Sequence, residues 1–425
     1  MRVLHGHLSL RHLVVFREVA HSGAVNAAAR SLYLSQPAAT QAIAAVERYF
    51  GVRLFDRTSA GMTPTVVGRR CLERIERALA ELGTAMGKLL PASVGRTERA
   101  LNLGQLEALI ALVKHGSFRA AAKALGIAVP TLHQAARALE QVSGTVLLER
   151  TSCGLSLNRD GERFARHAGR ALAELQQARD EFRAIHCDGR GRTVIGAMPL
   201  SLSGLVPSAV LQFMARYPLH TIELLNGPYE TLLRALRDGS ADVLIGALRQ
   251  PAPANDVVEE PLFDDPLTLV MRAGHPLTRC AAPDASQLRQ YPWIAPRLGT
   301  PLRQHFEALF AGLGVPCPTG TIECNSQVAA SAILQSSDHI MLLSERQVMA
   351  DVAAGVLAIL PHPLGRVVRA IGLTLRVGWR PTEPQQVVLD LLRHAGQYSP
   401  LESVGLPKRR TLRRASDALT AAAGA

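Results

Sequence analysis

Apolar and polar positions alternate at helical spacing over the first half of this chain and at strand-and-helix spacing over the second. LRHLVVFREVAHSG is apolar at Leu10, Leu13, Val14 and Val15–Phe16, which predicts a short amphipathic helix stopped by Gly23. AVNAAARSLYL reads as a second short helix, its alanines letting a neighbour pack closely. SQPAATQAIAAVERYFG reads as a third, with Ser35 as N-cap, Pro37 in the first turn and Gly51 at its end. VRLFDRTSAGMTPT then reads as two short strands around a Gly turn, a wing. Two short helices joined by a tight turn, the second capped by serine and followed by a wing, form a winged helix-turn-helix. A longer helix follows, with Leu72, Ile75, Leu79, Leu82, Met86 and Leu89 at alternating spacings of 3 and 4. That heptad seam suits pairing with another helix, either of a second chain or of the same one.

The plan is repeated. Shifted by 93 residues, Leu8–Leu82 aligns without a gap on Leu101–Leu175, with about 27 identities in 75 positions. The strongest matches are Ala27–Ala29 with Ala120–Ala122, RTSxG at Arg57–Gly61 and Arg150–Gly154, and ALAEL at Ala78–Leu82 and Ala171–Leu175. The second copy also repeats the seam, as Phe164, Ala168, Ala171, Leu175, Ala178, Phe182 and Ile185.

From Thr193 the period changes. TVIGAMP, HTIELLNG and ADVLIGAL read as strands, separated by the helical stretches SLSGLVPSAVLQFMARYP and PYETLLRALRDGS. Such alternation predicts a doubly wound α/β lobe. A crossing near LTLVMRAGHPL leads to a second lobe over Asp284–Arg366, with helices at Pro301–Gly314 and Ser326–Ser336. Leu373–Arg380 is expected to return as a strand to the first lobe, and PQQVVLDLLRHAG to form the last helix.

Charge narrows the partners. The net charge of +12 is uneven: residues 1–100 hold 14 basic and 7 acidic side chains, residues 101–187 hold 11 and 8, and residues 188–396 hold 17 and 18. A polyanion would meet the first hundred residues. The last segment, 397–425, is Ala-rich and basic and reads as a disordered tail, its KRRTLRR able to add nonspecific affinity for DNA. The six cysteines, at 71, 153, 187, 280, 317 and 324, form no CxxC and no zinc spacing, so they read as free thiols of a reducing compartment. No apolar run reaches membrane-spanning length and no signal peptide is readable, which places the chain in the cytoplasm without a membrane partner. No GxSxG, Walker loop, HExxH or complete GxGxxG appears, so neither an enzyme nor a bound metal or cofactor is expected.

Ala28–Arg57, with the pattern AAxxLxLSQPAxTQAIxxVExxFGVxLFxR, resembles the DNA-binding signature of the LysR-type transcriptional regulators. The resemblance covers most of the chain. It implies a DNA-binding regulator with a winged helix-turn-helix, a linker helix that dimerises, and a two-lobed effector domain like a periplasmic binding protein. The expected fold is thus multidomain: two tandem, largely α-helical winged modules with linker helices, then an α/β effector domain. The expected boundaries are 1–66 for the DNA-binding module, 67–95 for its linker and dimerisation helix, 101–158 for a diverged second module, 159–187 for the second linker helix, 191–396 for the effector domain and 397–425 for the tail. The stretch from Asn226 to Leu277 resembles the subgroup of the galactose-binding-protein regulator and the protocatechuate-pathway activator, which suggests a sugar or a small aromatic acid as effector. The expected partners are double-stranded promoter or operator DNA, that effector, further copies of the chain in a homodimer or homotetramer, and RNA polymerase.

The family's base-reading positions carry over to Ser35, Gln36, Pro37, Ala38, Thr40 and Gln41. The chemistry agrees: free N–H groups at a helix N-terminus face phosphate, Gln pairs with adenine N6 and N7, and Ser, Thr and small apolar residues reach phosphates or thymine methyls. Arg53 and Arg57 flank the wing, Arg57 with internal pairing as its other reading. At Ala60 many family members carry a basic residue. In the second copy AVPTLHQAA replaces SQPAATQAI, so Ala128 and Val129 stand where Ser35 and Gln36 stand. That favours a module that keeps the fold without reading sequence over a second working reader. In the effector domain, strand ends and helix N-termini pick out Ser201, Ser203, Arg297, Thr300, Asn325 and Ser326, each also readable as an N-cap or surface residue. A solute-binding protein would match the C-terminal fold but not the two helix-turn-helix modules, and assembly without DNA is the other reading of those modules.

Overall fold

The computed structural model describes residues 8–58, 61–87, 101–151, 154–186, 190–249, 251–280 and 283–397. Ala60, the segment after 87 that includes Leu89, and the basic tail from 398 lie outside the described residues.

The first module is α1 (Leu10–Ser22), α2 (Val25–Ser31), α3 (Gln36–Phe50), β1 (Phe55–Thr58) and β2 (Gly61–Pro64), followed by the linker helix α4 (Val66–Gly87). The second is α5 (Leu103–His115), α6 (Phe118–Leu125), α7 (Val129–Ser143), β3 (Leu148–Thr151) and β4 (Gly154–Leu157), followed by α8 (Arg159–His186). Each copy repeats the devices of the other. Glu47 Oε1 accepts from the Leu54 amide at 2.8 Å, and Glu140 Oε1 from the Leu147 amide at 2.9 Å, which ties each third helix to its wing. Each wing pairs in the same register, Phe55 with Pro64 and Leu148 with Leu157. Each linker helix passes the carbonyl before the wing so closely that only glycine fits. A Cβ on Gly68 would lie 2.0 Å from Leu54 O, and one on Gly161 2.2 Å from Leu147 O.

The linker helices α4 and α8 form the largest helix–helix contact among the described residues, and they run antiparallel. Ile75, Ala78, Leu79, Leu82 and Met86 of α4 and Phe164, Ala168, Ala171, Leu175, Ala178 and Phe182 of α8 are buried in one core shared by both modules. Over the described residues the heptad seam is therefore filled from within the chain.

The remaining residues form a nine-stranded sheet in two lobes. In the first lobe β5 (Arg192–Ala197) runs parallel to β6 (Thr221–Leu225) and β7 (Val243–Ala247), with α10 (Leu205–Arg216), α11 (Tyr229–Arg237) and the last helix α16 (Glu383–Gln397). The expected helix from Ser201 is broken: a short α9 (Pro199–Leu202) ends before Gly204, which caps α10. The second lobe holds β9 (Trp293–Ala295), β10 (Ile322–Glu323), β11 (Ile340–Ser344), β12 (Leu357–Pro361), α12 (Ala285–Arg289), α13 (Pro301–Gly312), α14 (Gln327–Ser336) and α15 (Glu345–Ala353). Two strands cross between the lobes, β8 (Val257–Arg272) and β13 (Val368–Arg376), paired antiparallel. The return strand thus starts five residues earlier than the apolar run from Leu373 indicated, because Val368–Ile371 already pairs with Phe263–Pro266 at the crossing. There the fully buried Asp265 accepts from Ser344 Oγ at 2.5 Å and Arg369 Nε at 2.9 Å.

The first lobe is seated on α8. Gly169 leaves room for Asp238 O, which a Cβ would approach to 2.2 Å. Arg170 binds Asp256 Oδ2 at 2.5 Å and donates to Arg237 O at 2.6 Å. Gln177 reaches Asp242 at 3.4 Å, and Arg74 of α4 donates to Arg380 O at 2.8 Å.

Candidate functional site

One site is a convex face, the outer end of α3. Its inner row, Ala39, Ala42, Ile43, Val46 and Phe50, is buried against α1 and α2, which fixes how the opposite row points. That opposite row is Ser35, Gln36, Pro37, Thr40 and Gln41, all exposed, with Ala38 half-buried. Ser35 is the N-cap, its Oγ accepting from the Ala38 amide at 3.4 Å. Thr40 donates its hydroxyl to Gln36 O at 3.0 Å, which leaves the hydroxyl oxygen facing out as an acceptor. Arg53 and Arg57 are exposed and make no ion pair among the described residues. The face therefore offers an amide able to bond two base-edge atoms at once, small polar groups beside it, and two free guanidinium groups on the wing.

Sequence reasoning passed over Tyr33, in the turn between α2 and α3. It is 91% exposed and holds the left-handed conformation at φ 55°, where the second copy has Gly126 at φ 68°. A non-glycine residue there costs about 1–2 kcal/mol of backbone strain. A tyrosine after an Arg-Ser-Leu run carried no glycine or asparagine signal by which to find it.

The second copy presents the same face with other chemistry. Ala128 makes no side-chain cap for α7. Thr131, His133 and Gln134 are exposed, but the His133 ring is stacked on Phe118 with centroids 3.6 Å apart. Val146, Gln141 and Glu162 stand where the first copy has Arg53, Arg48 and Arg69.

The other site is a cleft of about 1170 Å³ between the lobes. Of the residues picked out from sequence, Ser203, Arg297, Thr300, Asn325 and Ser326 line it. Ser201 does not: it is fully buried, and its hydroxyl donates to Met198 O at 2.7 Å, so it closes the turn after β5. Thr300 caps α13 and Ser326 caps α14, each accepting from a backbone amide, at Arg303 and Ala329. Ser203 donates to Gln327 Oε1 at 3.1 Å, a direct bond from one lobe to the other. Gln327 in turn donates to Gln347 O at 2.7 Å, and Arg369 at the strand crossing reaches Gln347 Oε1 at 3.2 Å.

Tyr229, Arg249 and Gln327 are cleft residues that the sequence pattern did not mark. The Arg249 guanidinium lies 3.6 Å from the centre of the Tyr229 ring. The Tyr229 hydroxyl and Arg249 Nε are both buried without a hydrogen-bond partner among the described residues. Burial pushes the Tyr229 hydroxyl pKa up to about 12, against the pull of Arg249, so it is a proton donor at any working pH. Two buried donors without a partner among the described residues thus belong to residues that line the cleft.

Residues 10–69 and, separately, 103–162 match the family model described as bacterial regulatory helix-turn-helix protein, lysR family. Residues 188–397 match the one described as LysR substrate binding domain. The HTH-type transcriptional regulator GalR of Pseudomonas putida is 32% identical over 372 residues, which is 87% of this chain and 93% of that protein. The chain belongs to the LysR family of transcriptional regulators.

As a LysR-type regulator it is a DNA-binding transcription factor with a substrate-binding effector domain, and its partners are duplex DNA and a small-molecule effector. The regulator PcaQ of Agrobacterium fabrum is 31% identical over 298 residues, 70% of this chain and 96% of PcaQ. GalR and PcaQ place the chain in the subgroup that the stretch from Asn226 indicated. The GalR alignment is longer than residues 101–425 and so extends into the first module. In structure, a full-length OxyR variant from Pseudomonas aeruginosa shares the fold, with a TM-score of 0.54 at 24% identity over 69% of this chain and 97% of that one. Among the described residues no helix is long and apolar enough to cross a membrane.

Proposed function

We propose that the leading end of α3 enters the major groove of operator DNA and that a small acid bound between the lobes controls the complex. Gln36 and Gln41 contact base edges, Ser35, Pro37, Ala38 and Thr40 shape the contact, and Arg53 and Arg57 hold phosphates. The observation that carries this part is the exposed polar row of α3, set rigidly by the buried row behind it. The protein works in the cytoplasm, where the DNA is, and its action is binding rather than catalysis, as in its regulator relatives.

The effector half rests on the unpartnered donors Tyr229 Oη and Arg249 Nε. A carboxylate accepts from both, while Met198, Leu202, Pro228 and Val328 supply apolar wall for a ring. Of a sugar and an aromatic acid, the cleft therefore favours the acid. A ligand that competes for Gln327 breaks the Ser203 bond between lobes and shifts their relative population. Because the first lobe is seated on α8, that shift reaches the linker helices directly. Thermal-shift screening of the full chain against benzoate-type acids and hexoses tests the assignment. A rise in Tm with an acid, lost in Tyr229→Phe, is expected; a rise with hexoses alone would replace the acid by a sugar.

A further inference from the structure

Positions 93 residues apart meet one another, or meet each other's partners. Ser9 forms an antiparallel bridge with Asn102. The Leu10 amide donates to Leu101 O at 3.0 Å and the Leu103 amide to Leu8 O at 3.2 Å. Under the 93-residue shift those two bonds exchange places. The linker helices do the same. Glu174 is held by Arg74 Nη1 and Arg77 Nε, both at 3.0 Å. Its counterpart Glu81 is held by His167 Nδ1 at 2.6 Å and faces Arg170 Nη1 at 3.9 Å. His167 and Arg170 are the counterparts of Arg74 and Arg77. Residue i touching j while the counterpart of j touches the counterpart of i is the contact pattern of a two-fold axis. Here both halves of that pattern belong to one chain.

We propose that the duplication makes a single-chain dimer, which places both winged modules of one chain on one duplex and reads bases in only one of the two half-sites. The inference rests on the assignment of α3 as the base reader. A two-fold rotation carries every point to one at the same height along its axis. The exposed ends of α3 and α7 therefore lie at the same level along that axis. The apolar seam of α4 is already covered by α8 of the same chain, with Ile75 and Ala78 fully buried, so over its described residues that seam is not open to a second copy. The half-sites differ in chemistry. The first module brings a capped helix, Gln36 and wing arginines without an ion pair among the described residues. The second brings an uncapped helix with Val129 and a stacked His133, and keeps the exposed Arg119, Lys123 and Arg137 for phosphates. The operator that fits is an asymmetric duplex: one specified half, and one gripped through its backbone about one helical turn away.

Two experiments on the full chain test this. The first introduces Ser9→Cys with Asn102→Cys. Residues opposite each other in this type of bridge have Cα atoms about 4.5 Å apart, within disulfide reach. On an unreduced denaturing gel the oxidised variant is expected to run at the mass of one chain with altered mobility. A crosslink joining two chains, or no crosslink in soluble protein, overturns the proposal. The second uses the unaltered chain and does not depend on the variant folding. Selection from a library of random-sequence duplexes is expected to yield a single specified half-site, with hydroxyl-radical protection extending over an unspecified neighbour. The variant Ala128→Ser with Val129→Gln is expected to add an inverted copy of the specified half. An inverted repeat selected by the unaltered chain overturns the proposal while leaving α3 as reader. Failure to enrich any sequence overturns the base-reading assignment and the inference with it.

Discussion

The first winged module opens its outward helix with a serine cap and a glutamine, and surrounds it with arginines. The second, on the same backbone, opens with Ala128 and Val129 and carries Glu162, Gln141 and Val146 in place of three of those arginines. What the copies kept is what sets the chain's path. Glu47 and Glu140 bond the wing amides, Gly68 and Gly161 let the linker helix pass a carbonyl, and Gly51 and Gly144 end the third helix in the left-handed region. What differs between them lies on the solvent side. If α3 is the reader proposed above, folding and reading fall to different residues of one motif, and a duplicate can keep the first without the second.

The largest expected effect probes the two-fold axis. Arg74 is 3% exposed and bonds Glu174, Gln177 and Glu181; Glu181 and Glu174 hold its charge despite the cost of burial. Arg74→Ala takes the cation from Glu181, leaves Glu174 with Arg77 alone, and should destabilise the chain by about 3–5 kcal/mol in urea titration. The counterpart change, His167→Ala, frees only the more exposed Glu81 and should cost about 1 kcal/mol or less. Equal costs would mean that the two ends of the pair are energetically alike.

Next come the wing ties. Glu47→Ala and Glu140→Ala each remove a charged acceptor from a half-buried backbone amide and should each cost about 1.5–3 kcal/mol. A cost confined to Glu47 would show that the second wing is held by something else. The smallest effect concerns the turn before the third helix. Tyr33→Gly relieves the left-handed strain and should stabilise the chain by about 0.5–1 kcal/mol after glycine's own entropic cost. Gly126→Tyr should destabilise by a similar amount. If Tyr33→Gly also weakens DNA binding, the exposed ring has a part in the first module that its counterpart lacks.

Much of this architecture could be read from residue order alone. The three helices and wing of each module were legible because caps, glycines and apolar spacing coincide there, and the duplication doubled the signal. The length of β8 was not. It serves both lobes, so its burial alternates irregularly over Val257–Arg272, and the sequence marks only a crossing near its buried last part, from Leu267. The cleft was half legible. Ser203, Thr300 and Ser326 stand at strand ends or helix starts, positions that motif reasoning finds. Ser201, two residues away from Ser203, points into the core instead, because α9 turns between them. Tyr229 and Arg249 meet within the first lobe from positions twenty residues apart, and Gln327 joins the same cleft from the second lobe, and no local pattern records either. The heptad seam of α4 left its partner open, since the same spacing serves a second chain or the chain's own repeat.

The most direct test of the account compares two substitutions at matched positions. The affinity of the full chain for its selected duplex and for a scrambled duplex is measured by fluorescence anisotropy at one salt concentration. Gln36→Ala should weaken binding to the selected duplex by about 1–3 kcal/mol and leave the scrambled duplex unchanged, while Val129→Ala should change neither. Equal losses from the two substitutions, or none from Gln36→Ala, would contradict the division of labour between the modules.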